Sequence, residues 1–263
     1  SFVTIRGNLT YNEDRIVDND HTRAIYPWQE TRGTYVNGRW GWIAEGLFTS
    51  EDEILNSAKQ FGESYPGQLS QVGDIKYKDL NGDGVIDDYD KCLIGQGDVP
   101  KLYYGFGADF QVRQVSFGFL FAGNAFADRC IGGDAINPFA DQAGISNLYA
   151  NITDRWSADD PANQNVFYPR LHYGSTANAN NNKVSTWWQK DVSFLRLKQV
   201  SISYNFPAKM LDRTFLKEAS VYVMGTNLLT FSKFKLWDPE LNTNNGSAYP
   251  NAMTVALGVS FKF

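Results

Sequence analysis

The stretch Asp79-Leu80-Asn81-Gly82-Asp83-Gly84-Val85-Ile86-Asp87-Asp88-Tyr89-Asp90 is where residue type and spacing most directly specify chemistry. Counted as a loop, Asp79, Asn81, Asp83, Asp87 and Asp90 hold positions 1, 3, 5, 9 and 12, and the Val85 carbonyl falls at position 7. Hard cations such as Ca²⁺ take roughly six to eight oxygen ligands converging on one point, which this register can supply, with Asp87 reaching through a water. Gly84 stands at position 6, where the chain must turn sharply, and Ile86 can pack beneath. The closing position is Asp rather than the Glu of helix-flanked calcium loops, so bidentate reach is shorter. A bound structural Ca²⁺ that rigidifies the surrounding segment is therefore expected, beside the plainer alternative of a solvated Asn-Gly and Asp-Gly turn.

Other chemistry finds less support. His21 and His172 have no Ser or Cys in a nucleophile motif beside them, and nothing selects a catalytic pair from the 29 acidic residues, so an enzyme is not expected. Cys92 and Cys130 allow one bridge or two separate thiols. The indoles Trp28, Trp40, Trp42, Trp187 and Trp188 could stack on sugars, but loop packing and aromatic girdles account for them more simply. Arg170 and the Arg155-Trp156 pair read as loop anchors.

These residues belong to a chain of 263 residues with 15% aromatic content and 18 Phe against 3 Met, a balance that favours pleated strands. A formal charge of -5 and the lack of a basic block argue against a nucleic-acid surface. No apolar run approaches the roughly 18 residues of a transmembrane helix. A transmembrane barrel stays open, because its strands alternate and give a weak hydropathy signal.

Period-two alternation predicts six strands near residues 1–11, 102–112, 114–124, 191–206, 219–231 and 252–263. In the first, Val3, Ile5, Leu9 and Tyr11 oppose Thr4, Arg6, Asn8 and Thr10. Arg113-Gln114 reads as a hairpin turn, and Pro207 ends the fourth strand. The fifth alternates poorly, since Val221, Tyr222, Val223 and Met224 look apolar on both faces.

Short connections alternate with three long ones, 12–101, 125–190 and 232–251. Structureless loops of that length would count against a compact soluble domain, whereas outer-membrane barrels combine short periplasmic turns with long extracellular loops. Counted back from a periplasmic C-terminus, all three long segments fall outside. Within them, Ser50 before Glu51, Asp52 and Glu53 predicts a capped helix of about three turns, and the Asn/Ala patch at 178–182 reads as a mobile loop tip.

Several stretches together resemble the C-terminal part of a SusC/RagA-family TonB-dependent outer-membrane transporter. They include Trp40-Gly41-Trp42, Glu45-Gly46-Leu47-Phe48, Gly73-Asp74-Ile75-Lys76-Tyr77-Lys78-Asp79, Tyr104-Gly105-Phe106 and Tyr168-Pro169-Arg170-Leu171. Further along come Phe194-Leu195-Arg196-Leu197-Lys198, Tyr204-Asn205-Phe206-Pro207, Asn227-Leu228-Leu229-Thr230-Phe231, Asp238-Pro239-Glu240 and the terminal Phe261-Lys262-Phe263.

The resemblance implies an all-β fold, the C-terminal portion of a 22-stranded transmembrane antiparallel barrel with long extracellular loops. The plug domain and the TonB-contacting segment would lie N-terminal to residue 1, and six strands alone would not close a barrel. It implies TonB-dependent import of oligosaccharides or peptides across the outer membrane, beside a SusD-like surface lipoprotein. The rival expectation is a secreted glycan-binding β-sandwich stabilised by calcium, which explains the aromatics and the acidic loop but not the alternation of connection lengths.

Overall fold

A computed structural model describes residues 1–61, 69–133, 136–139, 148, 150–172, 179–212 and 214–263. Its strands, in chain order, are β1 (Phe2–Tyr11), β2 (Arg39–Gly41), β3 (Ala44–Leu47), β4 (Ile75–Tyr77), β5 (Cys92–Gly95) and β6 (Leu102–Val112). They continue with β7 (Val115–Ala125), β8 (Asp128–Cys130), β9 (Gln189–Asp191), β10 (Phe194–Asn205), β11 (Glu218–Ser232) and β12 (Thr254–Lys262). Two short helices, α1 (Glu51–Leu55) and α2 (Ala208–Leu211), complete the regular structure apart from three 3₁₀ turns. Among the described residues no helix is long and apolar enough to cross a membrane.

The six long strands form one antiparallel sheet in the order β1-β6-β7-β10-β11-β12, so each lies beside the next long strand in the chain. The sheet is open: among the described residues β1 and β12 each pair on one side only. Register brings Tyr11, Leu102 and Ala125 to one edge with Phe194 and Ser232, and the three long connections leave from that edge. Short links occupy the other: Arg113 turns the β6–β7 hairpin at φ 52°, and α2 fills the link between β10 and β11.

Register also sorts the side chains. Ile5, Ala108, Phe119 and Val200 are cross-strand neighbours, as are Val3, Phe110, Phe117, Ile202, Val223 and Leu257, and directly opposed residues share a face. That face is apolar on all six strands, yet Ile5 is 81% exposed and Leu257 76%. The opposite face carries Arg6, Gly107, Leu120 and Gln199 in one row and Thr4, Asp109, Gly118, Ser201 and Met224 in the next. Tyr222 and Met224 thus lie on the polar face, and the apparent two-sided hydrophobicity of β11 resolves into one apolar row of Val221, Val223 and Leu229.

One irregularity keeps the apolar face continuous. In β10, Leu195 and Leu197 precede a register shift, and Val200, Ile202 and Tyr204 follow it in the opposite phase. The extra residue, Lys198, is a β-bulge that resets the alternation. Across from it, Asn227 adopts φ 54° in β11, a conformation Asn tolerates better than most residues.

The long connections fold into a cap over their edge of the sheet. Three small antiparallel pairs, β2–β5, β3–β4 and β8–β9, frame it. One buried cluster joins Trp42, Leu47, Ile75, Tyr77 and Ile86 to Trp156; a second joins Cys130, Ile131, Tyr168 and Trp188 to Phe234. Each draws on two different connections, and burying each such side chain contributes about 1.5–3 kcal/mol. Gly73, at φ +94°, is required where it stands, since a Cβ would lie 2.3 Å from the Trp156 ring.

Polar side chains suture the same seam. The Gln164 amide accepts from Leu47 N at 2.7 Å and donates to Leu47 O at 3.1 Å, pairing with backbone as a strand would. Asn181 Oδ1 accepts from Ile75 N at 3.0 Å, and Asn180 Nδ2 donates to Ile75 O at 2.8 Å. The part of the Asn/Ala patch that lies within the described residues is therefore a buried clasp and not a loop tip; position 178 lies outside them. Ser50 does cap α1, accepting from Glu53 N at 3.2 Å, but the helix spans five residues instead of three turns, ending at Leu55 before an Asn56 whose side chain bonds Asp52 O.

Candidate functional site

The acidic loop is built by side chains gripping its own backbone. Asp79 Oδ1 accepts from Gly82 N at 2.6 Å and Oδ2 from Gly84 N at 2.8 Å, while Asp83 Oδ1 accepts from Val85 N at 2.9 Å. Asn81 Nδ2 donates to Asp83 Oδ2 at 2.8 Å. Asp90 is fully buried; its carboxylate accepts from Leu80 N at 2.7 Å, Asn81 N at 3.4 Å and Asp87 N at 3.0 Å. Asp87 in turn caps the 3₁₀ turn Asp88–Asp90, accepting from Tyr89 N at 2.7 Å. Gly84 sits at φ +84°, which makes the tight return possible.

The structure thus brings Asp79, Asn81, Asp83, Val85, Asp87 and Asp90 into one loop of hard oxygen donors. None of its carboxylates has a Lys or Arg partner within 4.0 Å among the described ion pairs. Among the described residues no three His, Cys, Asp or Glu side chains converge closely enough to hold a metal ion. The donor set suits Ca²⁺ in kind, and the carboxylates of Asp79 and Asp83 keep further lone pairs beside those engaged by backbone N–H groups. Trp42 Nε1 donates to Asp87 O at 2.8 Å and Trp28 Nε1 to Tyr89 O at 2.7 Å, so the loop is bolted to the first connection whatever it binds.

Tryptophans behave likewise elsewhere in the cap. Trp188 Nε1 donates to Asn181 O at 2.6 Å and Trp187 Nε1 to Phe167 O at 3.1 Å, leaving these indoles as packing elements. Arg170 anchors a loop as its sequence context suggests, donating to Val72 O at 3.1 Å beside the Trp156 ring. His172 Nε2 lies 2.5 Å from Asp74 Oδ1, within the clasp formed with Asn181, whose Nδ2 donates to the same oxygen at 2.9 Å. Cys92 and Cys130 are both free and buried, and burial pushes both thiols up, which suppresses the nucleophilic thiolate.

A second constellation escapes sequence reasoning because its members lie 42 to 114 residues apart. Arg196, 3% exposed, pairs with Asp238 and, at 2.9 Å, with Glu240. The bulge residue Lys198 reaches the same Glu240 at 2.6 Å. Arg129 donates to Leu241 O and, at 3.3 Å, to Thr243 O, and Gly132 N donates to Asn244 O at 3.0 Å. Together they strap the connection 232–251 over the polar face of the sheet. Burial pushes the Asp238 carboxyl up, but the Arg196 guanidinium and Glu240 N–H outweigh it and hold it below the ordinary range. The sequence signal was the bulge itself, the phase break between Leu197 and Val200 with a lysine at the break.

No protein-family profile matches the chain. Among curated proteins it is 32% identical to "TonB-dependent receptor P26" of Formosa agariphila over 73% of its own length, which is 20% of that protein's. It is 28% identical to "TonB-dependent receptor P3" of the same organism, covering 88% of the chain and 22% of the relative. To "TonB-dependent receptor SusC" of Bacteroides thetaiotaomicron it is 26% identical, covering 71% of the chain and 17% of that protein. The chain therefore spans about a fifth of the length of these relatives. Of solved structures, the RagAB peptide transporter shares its fold over 99% of the chain and 27% of the other, with a TM-score of 0.70 at 20% identity. The RagAB peptide importer in its "closed-closed" state matches with a TM-score of 0.68 at 20% identity, covering 99% of the chain and 27% of the other.

Proposed function

The chain belongs to the SusC/RagA family of TonB-dependent receptors, and on that premise we propose that it forms part of the wall and mouth of an outer-membrane barrel that imports large nutrients. The observation that carries the reading is the sorting of every long strand into one apolar and one polar face, with the apolar face exposed. A β-sandwich would bury that face under a second sheet; a bilayer covers it equally well and leaves the polar face to a water-filled lumen. The open edges at β1 and β12 would be costly in hydrocarbon, so the sheet completes a closed barrel, of 22 strands in this reading, with strands outside this segment.

In this orientation the cap is extracellular and the short turns periplasmic. Energy comes through TonB, contacted by another part of the transporter, and a SusD-like lipoprotein sits over the cap. Cargo is an oligosaccharide or a peptide too large for porins. The chain performs no chemistry on it; the polar face offers Thr, Ser, Gln and Asn to a hydrated solute. The test is fractionation and uptake with the full-length protein. The reading requires detergent extraction from the outer membrane, heat-modifiable migration, and loss of nutrient uptake when the gene or TonB is removed; recovery in the soluble fraction would sink it.

We also propose that the loop from Asp79 to Asp90 takes a structural Ca²⁺. Its uncompensated acids and oxygen register support this, as does a turn already closed around Gly84. Millimolar Ca²⁺ should protect this segment from proteolysis, and the double substitution Asp79→Asn with Asp83→Asn should abolish the protection. Equal protection by Mg²⁺, or none by either ion, would overturn the assignment.

A further inference from the structure

The end of the sheet opposite the cap differs in charge from the rest of the chain. Its described cations are Arg113 at the β6–β7 turn, Lys209 in α2, Lys217 just before β11 and Lys262 at the end of β12, against the acids Asp212 and Glu218. The chain as a whole is acidic, with a formal charge of -5. Lys262 pairs with Glu218 at 3.0 Å, and both side chains are exposed. Arg113, Lys209 and Lys217 are also exposed, and none has a carboxylate within 4.0 Å among the described ion pairs. Backbone bonds join them along one rim: Asn205 N donates to Gln114 O at 2.8 Å, and Lys217 N to Lys262 O at 2.7 Å.

Register sets this rim at the end of the apolar face. Val221 opposes Val259, and Ala219 opposes Phe261, on that face. Two residues further along each chain stand Lys217 and Phe263, which alternation keeps at positions of the same face. Phe263 stacks on Phe215 with ring centroids 5.5 Å apart, and the two rings are 68% and 79% exposed. From Val259 outward the face therefore passes from aliphatic to aromatic to cationic within roughly 13 Å of strand. A bilayer changes in the same order, from hydrocarbon through the boundary where aromatic girdles sit to the charged headgroups.

The rim is continuous with the apolar face, so whatever covers that face also borders these cations. A second protein sheet would satisfy the apolar rows and leave the lysines facing water, whereas a bilayer brings phosphates to their level. Zwitterionic headgroups offset the phosphate with their own amine, so unpaired cations select lipids of net negative charge. We propose that Arg113, Lys209 and Lys217 dock net-anionic phospholipid headgroups, with Phe215 and Phe263 at the boundary between acyl chains and headgroups. The inference rests on the transport reading, in which the leaflet concerned is the periplasmic one.

Hydrogen exchange of the full-length receptor in nanodiscs reads the rim locally. Amides of the link 207–217 should exchange about fivefold more slowly in phosphatidylglycerol than in phosphatidylcholine, the worth of one lysine near an anionic surface. The double variant Lys209→Gln with Lys217→Gln should lose that difference. Lys233→Gln with Lys235→Gln, at two exposed lysines in the connection 232–251, should keep it. Inorganic phosphate added to phosphatidylcholine nanodiscs should slow the link no more than chloride of equal ionic strength. Equal exchange in the two lipids, a difference that survives the rim variant or disappears in the other, or slowing by inorganic phosphate alone would each overturn the lipid surface; the last outcome marks a free-anion site. Heat-modifiable migration of the same preparations separates the two failures. A receptor that migrates as a barrel yet ignores lipid charge loses the rim only, whereas one that is not a barrel loses the transport reading as well.

Discussion

The sheet and the cap solve the same problem, satisfying backbone polar groups, by different means. In the sheet every long strand pairs with its neighbour through regular ladders, and its side chains are freed to face the surroundings: apolar on one side, polar on the other. In the cap the strands are three or four residues long, and side chains take over the ladder's work. Gln164, Asn180 and Asn181 bond peptide groups about a hundred residues away, and buried aromatics fill the space beneath. The sheet's stability is therefore distributed and local in register, whereas the cap depends on a few residues at long range.

That contrast can be broken most forcefully in the cap. Phe48 is completely buried, and Phe48→Ala should cost about 3–5 kcal/mol locally. Protease sites in the long connections should open while heat-modifiable migration of the full-length barrel persists; loss of both together would mean the two regions fold as one unit. In the sheet the faces should respond oppositely. Phe119→Arg, on the apolar face, should cost about 2–4 kcal/mol in a bilayer, whereas Ser201→Arg on the polar face should cost little. Refolding yield in liposomes measures both, and equal penalties would refute the assignment of faces.

A smaller effect is expected at the clasp. Asn181→Ala leaves Ile75 N without its acceptor in a buried site and removes one of the donors to Asp74, and should cost about 1–3 kcal/mol. Hydrogen exchange at Ile75 should rise first. The smallest effect concerns the strap. Because Asp238 is held below the ordinary carboxylate range, its contribution is fully present above roughly pH 4 and is lost as pH falls through the lowered folded value. Exchange in 232–251 should accelerate only at strongly acid pH, and Arg196→Met should remove that acid step by loosening the strap at neutral pH.

How much of this could be read from sequence follows the same division. Alternation at Val3, Ile5 and Leu9, or Phe117, Phe119 and Phe121, is written residue by residue, because side-chain direction in a strand depends only on position along it. The turn at Arg113 was legible from two runs meeting without a gap. Tyr222 and Met224 were not assignable, because hydrophobicity alone cannot say which of two greasy neighbours belongs to the apolar face; pairing with Ser203 and Ser201 places both on the polar one. The acidic loop was legible as a register of oxygens, but not the use its carboxylates make of their own backbone. Asn180 and Asn181 were misread because a polar, repetitive composition signals exposure on average and says nothing of a specific long-range partner.

By itself the sequence determined what repeats locally: the six long strands, their two chemistries, the short and long connections, and the cluster of hard oxygen donors. Tertiary structure alone decided what depends on distant segments meeting. Those are the buried clasp over Ile75, the strap joining Arg196 and Lys198 to Asp238 and Glu240, and the cavity beneath it. The physical reason is that strand periodicity is a property of consecutive residues, whereas a paired charge or a satisfied amide belongs to two places in the chain, and only the fold sets the distance between them.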